Sequence, residues 1–296
     1  MKKNKTLQHH LEYYALNITM FFLHLFPMSF SKKIGLILAD IAFVFVPIRK
    51  KHIINSLTES FPDKSQKEII KIAKDVYKQF VISIVEIIYF PKMSRKELKN
   101  FVNFENIYLV ENAVKKGKGA IMLSAHYGNW ELLAISFAQR YPLSVVVAQQ
   151  ENLLVDKMID DIRSGKGYNT IYKDKAPIGV LRALRRNEFV AILADQDAGS
   201  QGVFVPYFSK KASTAKGPAV FALRAQCPII VGFCIRQPDG RYVATFEEID
   251  LPEGNDTENN IEIIMTKYSS ILEKNVREHP SYWFWFHKRW KTKEKK

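Results

Sequence analysis

The stretch GAIMLSAHYGNWELL, Gly119 to Leu133, joins a short apolar run to a segment that begins like a helix. Residues 120–123 are apolar without interruption, as in a strand that is buried on both faces of a sheet. Gly128 and Asn129 then supply a turn and a helix N-cap. The stretch therefore predicts a strand, a turn and a helix, which is the repeating unit of an α/β fold.

Similar apolar runs follow along the chain, and segments with helical spacing separate most of them. This alternation predicts an α/β fold with a mostly parallel mixed sheet flanked by helices. The last two runs, separated by QPDG, predict an antiparallel hairpin, and residues 257–279 predict a closing helix. The predicted strands have the sequences GAIMLSAH, LSVVVAQ, YNTIY, EFVAILAD, CPIIVGFCI and RYVATFEEI.

Before this region, the sequence predicts helices. Ser65 with Glu68, and Ser94 with Glu97, have the spacing of capping boxes, and a long amphipathic pattern follows the first of them.

The N-terminal region carries two apolar stretches. Residues 13–31 contain no Asp, Glu, Lys or Arg, and residues 34–48 end at a basic cluster, residues 49–51. Apolar segments with cationic ends suit insertion into an anionic leaflet, although a pair of buried core helices is the alternative. We expect residues 1–50 to form a hydrophobic helical membrane anchor, spanning or lying on the bilayer, and residues 51–296 to form the main domain.

The chain is strongly basic. Lys and Arg number 44 against 30 Asp and Glu, which gives a net charge of +14. Such a surface attracts phosphorylated ligands, anionic lipids or acidic proteins, and the charge alone does not choose among them. The two cysteines, Cys227 and Cys234, lack a CxxC or His/Cys pattern, which argues against a disulfide scaffold and a zinc site. We expect neither a metal nor a cofactor.

His126 and Glu131 are the candidates for chemistry. A neutral imidazole can take a proton from an alcohol, and an adjacent carboxylate can fix its tautomer and stabilise the imidazolium. The sequence has no GxSxG motif, so a nucleophile from the substrate, such as a hydroxyl, is indicated. On these residues alone, a satisfied core histidine beside a solvent-facing glutamate remains the alternative.

The segment HYGNWE, His126 to Glu131, resembles the HxxxxD/E motif of the glycerolipid acyltransferase superfamily, and in particular its branch of lipid A biosynthesis lauroyl/myristoyl (late) acyltransferases. The resemblance covers nearly the whole chain, because further segments are similar to that branch in the same order. These are RKKHIINSLTESFP (Arg49 to Pro62), IRSGKG, ILADQDAGSQGVFVPYFSKKASTAKGPAVFALR (Ile192 to Arg224) and WFWFHKRWK (Trp283 to Lys291). VPYFSKKAST departs slightly from the VPFFG-type run that is usual there.

The resemblance implies a glycerolipid acyltransferase-like fold and an enzyme at the cytoplasmic face of the inner membrane. Such an enzyme moves a fatty acyl chain from acyl carrier protein to a hydroxyl of a lipid A precursor. His126 would deprotonate the hydroxyl, Glu131 would orient His126, and nearby main-chain amides would stabilise the oxyanion. Coenzyme A as donor remains open, as do lysophospholipid, aminolipid or mannosylated phosphatidylinositol acceptors. A non-catalytic lipid-binding protein at the membrane surface is the alternative of another class.

The resemblance also suggests substrate-binding residues. Arg163 matches an arginine placed to bind acceptor phosphate, for which a guanidinium is well shaped. Asp195 and Gln196 match a second motif, which implies either a polar role near the acceptor or a structural turn. Asn129 is a candidate for a helix cap, a substrate contact, or both.

Aromatic and cationic residues alternate at the end of the chain, around Trp283, Trp285 and Trp290. Such a set can stack nucleic-acid bases or sit at a bilayer interface. No nucleic-acid-binding module accompanies it, so we expect no nucleic-acid partner. A bilayer contact or a packed C-terminal strand is the favoured interpretation.

Overall fold

The computed structural model of the protein describes residues 2–45, 48–254 and 256–294. The helices are α1 (Lys2–His24), α2 (Met28–Phe45), α3 (Lys50–Ser60), α4 (Gln66–Tyr89), α5 (Arg95–Phe101), α6 (Ile107–Lys115), α7 (Trp130–Ala138), α8 (Leu153–Gly165), α9 (Ala176–Arg185), α10 (Gly217–Ala225) and α11 (Thr257–Glu278). The strands are β1 (Val102–Phe104), β2 (Ala120–Ser124), β3 (Leu143–Val147), β4 (Asn169–Tyr172), β5 (Phe189–Leu193), β6 (Val203–Tyr207), β7 (Lys210–Thr214), β8 (Ile229–Arg236) and β9 (Tyr242–Ile249).

A seven-stranded sheet forms the centre, in the order β1-β9-β8-β2-β5-β3-β4. The run from β8 to β4 is parallel, whereas β9 pairs antiparallel with β8. The predicted mostly parallel mixed sheet and its antiparallel hairpin are therefore confirmed. β1 and a separate antiparallel pair, β6 and β7, add strands that the apolar runs did not predict.

Alternate residues of β2 feed two hydrophobic cores. Ile121 and Leu123 pack with α9, α10 and α11 on one face of the sheet. Ala120 and Met122 pack with α6 and α7 on the other face. This burial of both faces explains why the strand is apolar throughout.

The register of β2 and β5 fixes the position of the site. Ser124 of β2 lies beside Leu193 of β5, and the two strands run parallel. Because the carboxyl ends of neighbouring parallel strands meet at one edge of the sheet, the segments that follow them converge there.

The N-terminal region is helical, as predicted, but Pro27 divides the uncharged stretch 13–31 between α1 and α2. In the parts of the chain that the structure describes, no helix combines the length and the apolar character that a bilayer crossing requires. α2 packs along α4, where Phe43 meets Tyr77 edge to face. Both N-terminal helices leave large apolar side chains exposed, among them Phe21, Phe22, Ile37 and Phe45.

The C-terminal segment packs into the protein. Trp283 and Trp285 are 2% and 1% exposed, and their ring centroids are 4.6 Å apart. The bilayer interpretation is wrong for these two indoles, because the core already covers them. Packing of the tail is confirmed, but it does not form a regular strand. Among the described residues, the one β-type pairing of these tryptophans is an isolated bridge between Trp283 and Tyr127.

A buried carboxylate, Glu86 of α4, joins three other elements. It is 0% exposed, pairs with Lys32 of α2 at 2.5 Å, and accepts from Asn129 at 2.7 Å and from the hydroxyl of Tyr242 of β9. A buried charge is tolerated only when such partners are present. Glu86 thus holds the N-terminal helices against the sheet.

We expect Glu86→Ala to lower the free energy of unfolding by about 2–4 kcal/mol, because it leaves a cation and two donors without their acceptor. Urea unfolding followed by circular dichroism measures the change. Asp161→Ala is the matched control, since it removes the exposed Lys157–Asp161 pair and should change stability much less. Equal unfolding midpoints for the two variants would contradict the role given to Glu86.

Candidate active site

His126 lies two residues beyond β2, in the turn that leads into α7. Its carbonyl accepts from the main-chain N–H of Phe284 at 2.9 Å. Gly128 in this turn has φ +62, and a Cβ there would meet the carbonyl oxygen of Cys234 at 2.0 Å. Only glycine fits such a position, so the turn is held against β8 and the C-terminal segment.

The ring of His126 is bonded to Asp195, which follows β5. Nδ1 of His126 lies 2.9 Å from Oδ1 of Asp195, and the main-chain N–H of His126 donates to Oδ2 at 3.0 Å. The indole N–H of Trp283 donates to the same Oδ2 at 3.0 Å. Asp195 is 2% exposed, so these donors replace water around its charge.

This contact fixes the tautomer of the imidazole. A carboxylate only accepts hydrogen bonds, so Nδ1 of His126 carries the hydrogen and Nε2 keeps its lone pair. Burial lowers the pKa of His126, but the charge and hydrogen bond of Asp195 outweigh it and leave the pKa raised. Burial likewise raises the pKa of Asp195, and its hydrogen bonds and His126 bring it below the ordinary value. The pair is therefore a base with a strengthened affinity for one proton.

Glu131 does not make the contact that the sequence suggested. Its carboxylate accepts from Nη2 of Arg163, from Nε of Arg163 at 3.5 Å and from the hydroxyl of Tyr168 at 3.0 Å. The predicted His126–Glu131 dyad is therefore corrected: Asp195, and not Glu131, accepts the hydrogen bond that orients His126. The physical reason is that Glu131 lies in the first turn of α7 and its side chain faces α8.

Glu131 keeps the partly buried Arg163 charged. Burial lowers the pKa of Arg163, but the charge and hydrogen bonds of Glu131 outweigh it and raise the value. Tyr168, which burial keeps protonated by raising its pKa well above the ordinary value, donates to the same carboxylate. Arg163 therefore keeps its charge at the edge of the site.

Asn129 is a helix cap. Its Oδ1 accepts from the main-chain N–H of Leu132 at 3.0 Å, and its Nδ2 donates to Glu86. The predicted N-cap is confirmed. With 1% of the residue exposed and both ends of the amide bonded, the side chain does not reach a substrate, which corrects the suggested contact.

Gln196 lies beside the free nitrogen of His126. Its Nε2 is 3.5 Å from Nε2 of His126. Asp195 and Gln196 thus flank the imidazole on its two nitrogens, a role that the sequence assigned to neither.

Two cavities lie at this site, and Trp130 lines both. The first, the α4 cleft, is narrow, lies between α4 and residues 281–286, and reaches His126. The second, the apolar pocket, runs between the sheet and α7 and reaches Glu131 and Arg163. Its remaining walls are mostly aliphatic: Met122, Leu133, Ala134, Val145, Val146, Val147, Ala191 and Leu193.

Sequence reasoning missed three groups that shape the site. The sequence places Trp283 in an aromatic tail far from His126, and no local pattern marks Tyr168 as a site residue. The sequence does mark Glu86 as unusual, because it is the one charged residue in the apolar run FVISIVEIIYF. Within the described residues, no three His, Cys, Asp or Glu side chains are grouped as a metal site requires.

The sequence matches the model of the bacterial lipid A biosynthesis acyltransferase family over residues 1–292. It is 24% identical over 275 residues to a lipid A biosynthesis lauroyltransferase of Escherichia coli (strain K12), covering 90% of this chain and 87% of that protein. It is 23% identical over 269 residues to a lipid A biosynthesis palmitoleoyltransferase of the same organism, covering 88% and 84%.

A phosphatidylinositol mannoside acyltransferase of Mycolicibacterium smegmatis (strain ATCC 700084 / mc(2)155) is 22% identical over 205 residues, which cover 68% of this chain and 66% of that protein. These relatives are all acyltransferases, and the family match spans almost the full sequence. The protein therefore belongs to the bacterial lipid A biosynthesis acyltransferase family and is an acyltransferase.

Proposed function

We propose that this enzyme transfers a fatty acyl chain from acyl carrier protein to a hydroxyl of a lipid A precursor, with His126 as general base. The observation that carries the proposal is the Asp195–His126 pair, because Asp195 holds Nδ1 and His126 lines the α4 cleft. Its tautomer is the one that can accept a proton from an alcohol.

The reaction needs no nucleophile from the protein. Nε2 of His126 takes the proton of the acceptor hydroxyl as its oxygen attacks the thioester carbonyl carbon. The tetrahedral intermediate then collapses, the C–S bond breaks, and the imidazolium returns the proton to the leaving thiolate. Asp195 stabilises the imidazolium meanwhile, because its charge is held next to Nδ1 and is itself almost closed to water.

The apolar pocket suits the acyl chain. Its aliphatic walls would shield a hydrocarbon from water, and Trp130, whose ring lies 5.0 Å from that of His126, lines both this pocket and the α4 cleft. A chain bound there would present its thioester near the free nitrogen of the base.

Arg163 would bind the acceptor phosphate. Glu131 engages Nε and Nη2 of its guanidinium and so holds this cation beside the apolar pocket, which Arg163 lines. Glu131 in this arrangement positions Arg163 and adds negative charge near His126. The net charge of +14 would attract the acidic carrier protein and the phosphorylated acceptor.

A mannosylated phosphatidylinositol is the second candidate acceptor. It is favoured by the similarity to the mycobacterial-type phosphatidylinositol mannoside acyltransferase. The longer match to the lauroyltransferase, 275 against 205 residues, favours the lipid A precursor.

We also propose that residues 1–50 hold the acyltransferase domain, residues 51–296, on the cytoplasmic face of the inner membrane. The exposed apolar side chains of α1 and α2 support this, since water-soluble surfaces rarely group so many. Lysines at the ends of this region would face anionic headgroups.

The test of the function uses the full chain in detergent with lipid acceptors: a lipid A precursor, a lysophospholipid, an aminolipid and a mannosylated phosphatidylinositol. Acyl carrier protein and coenzyme A thioesters serve as donors, and mass spectrometry detects acylated products. We expect transfer from the carrier protein to the lipid A precursor. His126→Ala should lower the rate by at least about 100-fold, since the general base is lost.

His279→Ala, at an exposed histidine, is the matched control and should leave the rate unchanged. If wild-type protein transfers nothing to any acceptor, the proposed function is wrong. If His126→Ala keeps the wild-type rate, the base is wrongly assigned.

The raised pKa of His126 predicts a pH profile. Only the neutral imidazole can act as base, so kcat/KM should rise with pH and reach half its limit above the ordinary histidine value of about 6.5. In Asp195→Asn the charge that raises the pKa is lost, so the midpoint should move to lower pH. The amide would also donate to Nδ1 and favour the wrong tautomer, lowering kcat on the order of 1,000-fold.

Glu131→Gln is the comparison variant for this profile. Glu131 also raises the pKa of His126, but it ranks behind Asp195. We therefore expect a smaller shift of the midpoint. A larger shift of the pH midpoint in Glu131→Gln than in Asp195→Asn would contradict the role of Asp195 and support the His126–Glu131 dyad.

Membrane attachment has a matched pair of variants. Phe21→Asp with Ile37→Asp should weaken binding to vesicles of anionic phospholipid, because each buries a carboxylate in the interface; the native side chains are 62% and 61% exposed. Ile178→Asp on α9 changes an equally exposed side chain, at 71%, outside this region and should not weaken binding. Vesicle flotation measures the bound fraction. Equal vesicle binding by the double variant and by Ile178→Asp would contradict the proposed membrane face.

A further inference from the structure

The loop after β5, residues 195–197, is held by the C-terminal segment at consecutive positions. The carbonyl of Gln196 accepts from the guanidinium of Arg289 at 3.3 Å, and the main-chain N–H of Asp197 donates to Nε2 of His287 at 2.8 Å. The carboxylate of Asp197 accepts from the main-chain N–H and the hydroxyl of Thr292, at 3.1 and 2.8 Å. The backbone of this loop is therefore fixed from outside the strand.

Arg289 also ties these loop contacts to β7. It is 2% exposed and also donates to the carbonyl of Ser213 and the hydroxyl of Thr214 in β7. Moving the loop would remove one of the three acceptors of a buried guanidinium, which is costly.

Unlike the main chain of this loop, the side-chain amide of Gln196 is not bonded to the C-terminal segment in the described residues. In the part of the chain that the structure describes, its one hydrogen-bond contact is Nε2 of His126, at 3.5 Å. Because that nitrogen holds a lone pair, the NH₂ group of the amide faces it. A rigid loop thus presents one movable donor to the point where the acceptor hydroxyl must bind.

Main-chain donors of the catalytic turn are already engaged. The N–H groups of Tyr127, Gly128 and Asn129 donate to the carbonyls of residues 125, 282 and 234, at 2.7, 3.0 and 2.9 Å, and that of His126 donates to Asp195. The expectation that main-chain amides near the motif stabilise the oxyanion therefore does not hold for residues 126–129. The intermediate needs a donor from elsewhere.

We propose that the side-chain amide of Gln196 donates the hydrogen bond that stabilises the oxyanion during acyl transfer. This rests on the proposed function. When the acceptor hydroxyl takes the place of the amide on Nε2 of His126, the freed NH₂ group lies beside the attacking oxygen. The thioester carbonyl oxygen, which becomes negative as the C–O bond forms, is then within its reach. The charge is released when the C–S bond breaks.

The experiment compares Gln196→Ala with the wild type in the acyl-transfer assay, using the donor and acceptor that the wild type accepts. Removing an oxyanion donor should lower kcat about 100-fold while KM for both substrates stays within about threefold. Gln196→Asn, which keeps a shorter amide, should recover part of the loss. Gln201→Ala, at an exposed glutamine five residues further along the chain, should match the wild type.

Thermal unfolding shows whether the variants fold, and partial recovery in Gln196→Asn separates chemistry from misfolding. An unchanged kcat in Gln196→Ala overturns the proposal and leaves the first-turn amides of α7 as the donors. An unchanged kcat with a raised KM for the acceptor also overturns it and makes Gln196 a binding residue. A wild type without transferase activity is a different result, because it rejects the proposed function itself.

Discussion

The site depends on one constraint: the carboxylate of Asp195 is almost sealed from water and must be satisfied by protein donors. Two of these donors belong to His126, and the third is the indole N–H of Trp283. A buried charge without such partners would cost several kcal/mol. Satisfying it draws together the turn after β2, the loop after β5 and the C-terminal segment, which are the parts that surround the free nitrogen of His126.

A second buried carboxylate organises the other side of the turn. Glu86 accepts from Asn129, the N-cap of α7, and pairs with Lys32 of the N-terminal helices. The helix that carries Glu131 is therefore capped by a residue that is itself anchored to α4. The helix α2, with its exposed apolar side chains, and the turn that carries His126 share this network, so short polar contacts join the N-terminal region to the candidate site.

The three carboxylates around the turn, Asp195, Glu131 and Glu86, contact different partners. Asp195 faces Nδ1 of His126, whereas Glu131 faces Arg163 and Tyr168 across the mouth of the apolar pocket. The sequence predicted Glu131 as the orienting acid because it is five residues from the histidine. Local spacing cannot show that the first turn of α7 directs this side chain toward α8. The tail tryptophans show the same limit, since their composition suits an interface but packing buries two of them.

The sequence by itself determined the α/β alternation, the strand-turn-helix that carries His126, and both capping boxes, because these follow from local periodicity and local hydrogen bonding. It also placed Asp195 and Gln196 at a strand end. Only the tertiary structure decided that Asp195, 69 residues from His126, is its partner. The physical reason is strand order: β5 lies beside β2 because of how the helices pack on the sheet, and that neighbour relation is not encoded in the spacing of either segment.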